Sequence, residues 1–171
     1  MITTKRIVLI AVIAALYAIL TVGIAPISYG PIQFRVSEAL KVFVLFDPFF
    51  TLGIGIGTFF ANMASPYVGP WELVWMPFSD MLGGLIAWAI YRYLFRNKLA
   101  VVPMAFYAIT TGLAVGLMLW AVGVGGFWFL SATVAASELV ILIGGVPIMF
   151  TIENILERRG LGLNPEDKKG D

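Results

Sequence analysis

The chain of 171 residues contains no cysteine and no histidine. The first absence excludes disulfides and thiol chemistry. Together they remove the commonest zinc ligands and the usual general base. Charge is also scarce, at 12% of residues, against about 25% in a soluble domain. The net charge is only +1, so bulk charge selects no partner. No glycine-rich loop ending in Lys-Ser/Thr is present, so the chain lacks that means of holding nucleotide phosphates. No serine motif stands beside an obvious base. Asp47 and Asp80 are available as an aspartyl pair, but nothing in the surrounding sequence supports one. The reading is a protein that is not an enzyme and holds no cofactor or metal.

What is present is apolar. Hydrophobic residues make up 60% of the chain and the mean hydropathy is +0.95. This is the profile of an integral membrane protein. A spanning helix needs about 20 mostly apolar residues. Residues 7–25 meet that and read as a retained first span rather than a cleaved signal. Residues 36–46 are apolar but short, and read as a tilted helix or one beside a loop that dips inward. Asp47-Pro48 breaks the run. Further spans follow at 49–65, 71–95, 100–122 and 128–157, with turns at 66–70 and 123–126. The apolar runs lack the alternation of barrel strands. The expected fold is therefore an all-α membrane protein, a bundle of six transmembrane helices. It forms one domain over residues 1–160, with a polar tail at 161–171.

Orientation follows from basic residues. Lys5 and Arg6 precede the first span. Arg92, Arg96 and Lys98 follow the fourth. Arg158, Arg159, Lys168 and Lys169 follow the sixth. Six crossings put all three clusters, and both termini, on the cytoplasmic side. On the first span Ala11, Ala14, Ala15 and Ala18 include pairs four apart. Such spacing gathers small side chains on one face and lets another helix approach. That helix is either a neighbour in this bundle or a partner. Gly53, Gly55 and Gly57 step by two, so the three do not share a face; they indicate tight crossings.

A charge at mid-membrane costs at least about 2.5 kcal/mol, so it usually faces a partner or a cavity. Arg35, Glu38, Glu72 and Glu138 fall near the outer ends of their spans, with Asn62, Ser65, Trp71, Trp75 and Trp128 at a similar level. Lys41 and Asp80 fall deeper. Asp47 and Glu153 fall toward the cytoplasm, and Glu153 and Glu157 read as solvated at a helix end. Acids, an arginine, an amide and aromatic rings at one level make up a small-molecule pocket. Arg35 and Glu38 are three apart, so on a helix they share a face and either neutralise each other or hold a ligand. The tryptophans are either pocket walls or interfacial belt residues. Glu72 is either a ligand group or an acid favoured by a helix N-terminus. Membrane acids also relay protons in carriers, although no internal repeat is visible.

The run "APISYGPIQFRVSEAL" at 25–40, and above all "YGPIQFRVSEAL" from Tyr29 to Leu40, resembles the QueT-type family of queuosine-precursor transporters. "FFAN" at 59–62 is similar to that family's third helix. These are substrate-binding (S) components of energy-coupling-factor (ECF) transporters. The resemblance covers residues 1–160 in plan and 25–65 in motif. It implies a multi-pass protein of a prokaryotic cell membrane that captures a micronutrient near the outer face. It would then pair with a transmembrane coupling subunit and two cytoplasmic ATPase subunits. Ala11, Ala14, Ala15 and Ala18 would meet the coupling subunit. The implied substrates are 7-deazaguanine bases such as queuine and its precursors. On that implication Glu38 or Glu138 reads the guanine edge, with Glu72 as a further acid. Arg35 or Gln33 and Asn62 serve as polar partners, and Trp71, Trp75 and Trp128 stack on the base. Another aromatic vitamin, or a stand-alone proton-coupled carrier, are the competing readings.

Overall fold

The computed structural model describes residues 3–29 and 33–163. From position 164 onward, the polar tail expected at 161–171 lies outside the described residues. Every element among the described residues is helical. The helices are α1 (Thr4–Gly23), α2 (Ala25–Ser28), α3 (Val36–Leu45), α4 (Phe50–Asn62), α5 (Trp71–Leu94), α6 (Val101–Ala121) and α7 (Phe127–Arg158). Four of them, α1, α5, α6 and α7, are long and apolar enough to cross a bilayer.

The short second run is the centre of the bundle. Ser37, Glu38 and Leu40 to Leu45 are all buried, so α3 presents almost no lipid-facing side. It is wound as a 3-10 helix over ten residues. Such a run is uncommon beyond three or four residues. It persists here because protein surrounds it, and irregular backbone is tolerated at membrane depth only under that condition. The winding also answers the length problem. At about 2.0 Å per residue, ten residues reach about 20 Å rather than the ~15 Å of an α-helix. The helix is short in sequence but not correspondingly short in space.

Small residues set the crossings. A Cβ on Gly53 would lie 2.9 Å from Ile10 O, and one on Gly57 2.9 Å from Ala14 O. These two glycines, four apart, share the face of α4 that packs on α1. Gly55 turns the other way, where its Cβ would lie 3.3 Å from Pro77 O on α5. Gly112 and Gly116 bring α6 onto α7, where added Cβ atoms would lie 2.8 Å from the Cα atoms of Ala135 and Ser131. The apolar core gathers Tyr17, Val42, Phe50, Ile54, Met104, Tyr107 and Leu142 around α3.

Two ends of the bundle are tied by polar contacts. At one end Arg6 Nε donates to Asp47 Oδ2 at 2.5 Å, and Lys5 Nζ donates to Gly162 O at 2.7 Å. Asp47 Oδ1 also accepts from Phe49 N at 3.0 Å, which closes a turn around Pro48 just before α4. Glu153 does not lie in solvent as its place near a helix end suggested. It is buried, and Oε1 accepts Leu163 N at 2.7 Å because the chain after α7 folds back over it. At the other end Ser28, Arg35, Asn62 and Glu72 meet. The chain from α1 to α4 thus runs back and forth between these two ends, α5 begins at the second and α7 finishes at the first.

Candidate functional site

The polar end is built on a break in regular helix. Residues 71–75 form a π turn, with Met76 N bonded to Trp71 O. The Glu72 carbonyl would then need the N–H of residue 77, which is a proline and has none. Asn62 Nδ2 fills the gap at 2.9 Å. That bond fixes the amide, and its Oδ1 accepts Arg35 Nη1 at 3.3 Å. Arg35 Nε donates to Ser28 O at 3.0 Å, and the guanidinium lies 5.2 Å from the Tyr29 ring centroid. Two of its five donors are thus used among the described residues. Tyr29 OH in turn donates to Ala61 O at 2.5 Å. Burial raises the Tyr29 phenol above its ordinary value while Arg35 opposes the shift, and the hydroxyl stays a neutral donor.

A second layer lies on α3 and its neighbours. Lys41 Nζ sits 2.5 Å from Glu38 Oε2 and 2.8 Å from Asp80 Oδ1, and donates to Thr111 Oγ1 at 3.2 Å. The ammonium also lies 4.7 Å from the Tyr107 ring centroid. Tyr17 OH donates to Glu38 Oε1 at 2.5 Å, and Thr58 Oγ1 donates to Asp80 Oδ2 at 2.7 Å. Tyr107 OH donates to the Asp80 carbonyl at 2.5 Å. One cation therefore ties α3 to α5 and α6, while α1 and α4 supply the hydroxyls that bind the two carboxylates.

Arg35 and Glu38 do not pair with each other among the described residues. Arg35 precedes the helix with extended backbone, φ −100° and ψ 103°, so it leaves the line on which residues three apart eclipse. Glu38 and Lys41 stay on that line and form the pair. Glu138, on α7, is 2% exposed and lies in the field of Glu38, Lys41, Asp80 and Arg35. Its Oε2 has no hydrogen-bond partner among the described residues. Glu72 is fully buried, with Ser65 and Arg35 beside its carboxyl, yet neither oxygen holds a well-formed hydrogen bond among the described residues. Gln33 is buried with φ +47°, and its Nε2 has no partner among the described residues. A side chain in that left-handed region is strained, a feature common at functional sites.

Residues 7–154 match the family described as QueT transporter. The chain belongs to the QueT transporter family. A queuosine precursor transporter QueT from Lactococcus lactis subsp. cremoris (strain MG1363) is 48% identical over 64 residues, 36% of this chain and 38% of the relative. The aligned part thus spans well under half of that relative. No solved structure matches the chain. As a member of a transporter family with several helices able to cross a bilayer, this QueT chain is a multi-pass membrane protein and not an enzyme.

The other expected site residues of this QueT chain are spread more widely. Trp71 and Trp75 pack edge to face, with ring centroids 6.2 Å apart, and Trp75 Nε1 donates to Ala114 O at 3.2 Å. Trp128 is 76% exposed and packs on Phe127 away from the acids. An outward groove of about 390 Å³ between α5 and α6 includes Trp75, Phe78, Leu82 and Leu113. None of the buried acids lines it, so the polar cluster, not the groove, carries the chemistry. Of the four alanines, Ala14 is buried toward Gly57, Ala11 and Ala15 face outward, and Ala18 is half-buried. Sequence reading left Lys41, Asp80, Tyr17, Thr58, Tyr107 and Thr111 out of the site. Lys41 and Asp80 did carry a signal: lone charges of opposite sign at similar depth in apolar helices need each other.

Proposed function

We propose that this chain is the substrate-capture subunit of an ATP-driven importer and binds a queuosine precursor, a 7-deazaguanine base, at its polar end. All six longer helices cross the membrane, both termini are cytoplasmic, and the site lies near the outer face. The observation that carries the reading is the buried polar cluster on α3, α4, α5 and α7, set in an otherwise apolar bundle. Buried charge without a ligand or counter-charge is costly inside a membrane, so it marks a function. The family adds the class of cargo, since the Lactococcus relative is a queuosine precursor transporter by name. A flat base with N–H donors on one edge and a carbonyl beside them suits acids flanked by Arg35.

The topology draws support from the basic residues and from the contacts of Arg6 with Asp47 and Lys5 with Gly162. These contacts join the first helix, the α3–α4 turn and the end of α7 at one level. Ala11 and Ala15, exposed among Ile7, Val8, Val12 and Ile19, offer a close-approach face for the coupling subunit. Two cytoplasmic ATPase subunits would supply the energy. Four buried acids also suit a second reading, a stand-alone proton-coupled carrier.

Equilibrium binding of queuine and its precursors to the purified chain in nanodiscs tests the capture role, with guanine and riboflavin as controls. Selective, saturable binding is the expected result, together with ATPase subunits that co-purify through high-salt washes. Uptake by the chain alone in cells without such ATPases would refute the importer reading and favour the carrier.

A further inference from the structure

The four buried acids of the site differ in what they already hold. Glu38 engages both oxygens, Oε1 with Tyr17 and Oε2 with Lys41, each at 2.5 Å. Asp80 does the same with Thr58 at 2.7 Å and Lys41 at 2.8 Å. Glu72 lacks a well-formed hydrogen bond on both oxygens among the described residues, but it keeps the Ser65 hydroxyl and the Arg35 charge beside it. Glu138 has an oxygen with no hydrogen-bond partner among the described residues, although the residue is 2% exposed.

Charge points the same way. Among the described residues, Glu38, Glu72, Asp80 and Glu138 face only Arg35 and Lys41 as buried bases. Four acids against two bases leave a formal surplus of two negative charges. Lys41 is shared by two acids, and Arg35 is turned to Ser28 and Asn62. A neutral ligand leaves the surplus as it was. A cationic one reduces it where a carboxylate oxygen is left without a partner, in a setting where a charge-assisted bond is strong.

We propose that Glu138 is the ligand-binding acid of this site, that it takes a positively charged amine of the substrate, and that Glu38 belongs to the scaffold. The inference rests on the capture reading above and adds which acid meets the ligand and which part of the ligand it meets. It chooses between Glu38 and Glu138, which the sequence leaves open. It also separates two consequences. Removing the charge of a ligand-binding acid that has an unpartnered oxygen harms binding and leaves the fold as stable or more so, because a buried unsatisfied group is a liability to folding. Removing an acid that holds Tyr17 and Lys41 harms the fold.

The test uses the full chain in nanodiscs as wild type, Glu138→Gln and Glu38→Gln. Calorimetric titration uses two probes, 7-deazaguanine carrying a 7-aminomethyl group and 7-deazaguanine itself. Thermal unfolding without ligand is measured alongside. Glu138→Gln is expected to lose about ten- to hundredfold in affinity for the amine probe. It should change little toward the bare base and unfold at or above the wild-type midpoint. Glu38→Gln is expected to unfold at a lower midpoint. Unchanged affinity of Glu138→Gln for the amine probe overturns the proposal. So does an equal loss toward both probes with a lowered midpoint. If the wild type binds neither probe, the capture reading fails, and the unfolding data still judge the assignment. A Glu138→Gln chain less stable than wild type overturns it; one as stable or more so supports Glu138 as an acid without an internal role.

Discussion

Lys41→Met removes the ammonium between Glu38 and Asp80 and keeps a side chain of similar reach. The substitution leaves two fully enclosed carboxylates facing each other's field, with Tyr17 and Thr58 as their remaining donors. Breaking a buried pair by deleting one partner typically destabilises by about 3–5 kcal/mol, because the surviving charge is uncompensated. Two survivors place this variant at or above the upper part of that range. The same principle supplies the control. Replacing a whole buried ion group by neutral residues of similar volume is often neutral or stabilising. The triple variant Glu38→Gln, Lys41→Met, Asp80→Asn is therefore expected to regain most of what Lys41→Met loses. Unfolding by a denaturant series in detergent, followed through the five tryptophans, measures all three chains. A Lys41→Met chain as stable as its parent would refute the reasoning, and so would a triple variant no better than the single one.

Other expectations concern the scaffold. Asn62→Leu leaves the Glu72 carbonyl without a donor beside Pro77 and removes one contact of Arg35. It should cost about 1–3 kcal/mol of stability in the same unfolding assay. Gly57→Ala puts a Cβ 2.9 Å from the Ala14 carbonyl and should lower stability by about 1–3 kcal/mol. Gly23→Ala, where a Cβ meets nothing within 4 Å, should stay close to the parent, and an equal loss at both glycines would refute the crossing argument.

Much of the fold was legible in the sequence because lipid imposes a simple rule. Long apolar runs marked α1, α5, α6 and α7, and Asp47-Pro48 marked the break before α4. The role of α3 was not legible. Its winding is set by contact with helices far away in sequence, and a short apolar run looks the same at the edge of a bundle as at its centre. The buried charges were legible as costs, but the direction in which each side chain faces was not. Trp128 and Glu138 share one helix, about 15 Å apart along its axis, and one faces outward while the other faces inward. Arg35 and Glu38 misled by proximity, because a single extended residue at the start of α3 turned the arginine toward Asn62. Lys41 and Asp80 were visible only as isolated costs, and their meeting required the three-dimensional packing of α3 against α5.

The winding of α3 also changes its angular arithmetic. Each residue turns the chain by about 120° rather than the ~100° of an α-helix. The difference is about 20° per step, so over the nine steps from Val36 to Leu45 it accumulates to about 180°. A helical wheel drawn for this segment on the α-helical period therefore places its last turn on the opposite side from where it lies. Deletion of one residue between Glu38 and Lys41 would swing the ammonium a third of a turn, away from both carboxylates at once. The register of this one rod fixes which helices the central charge can reach.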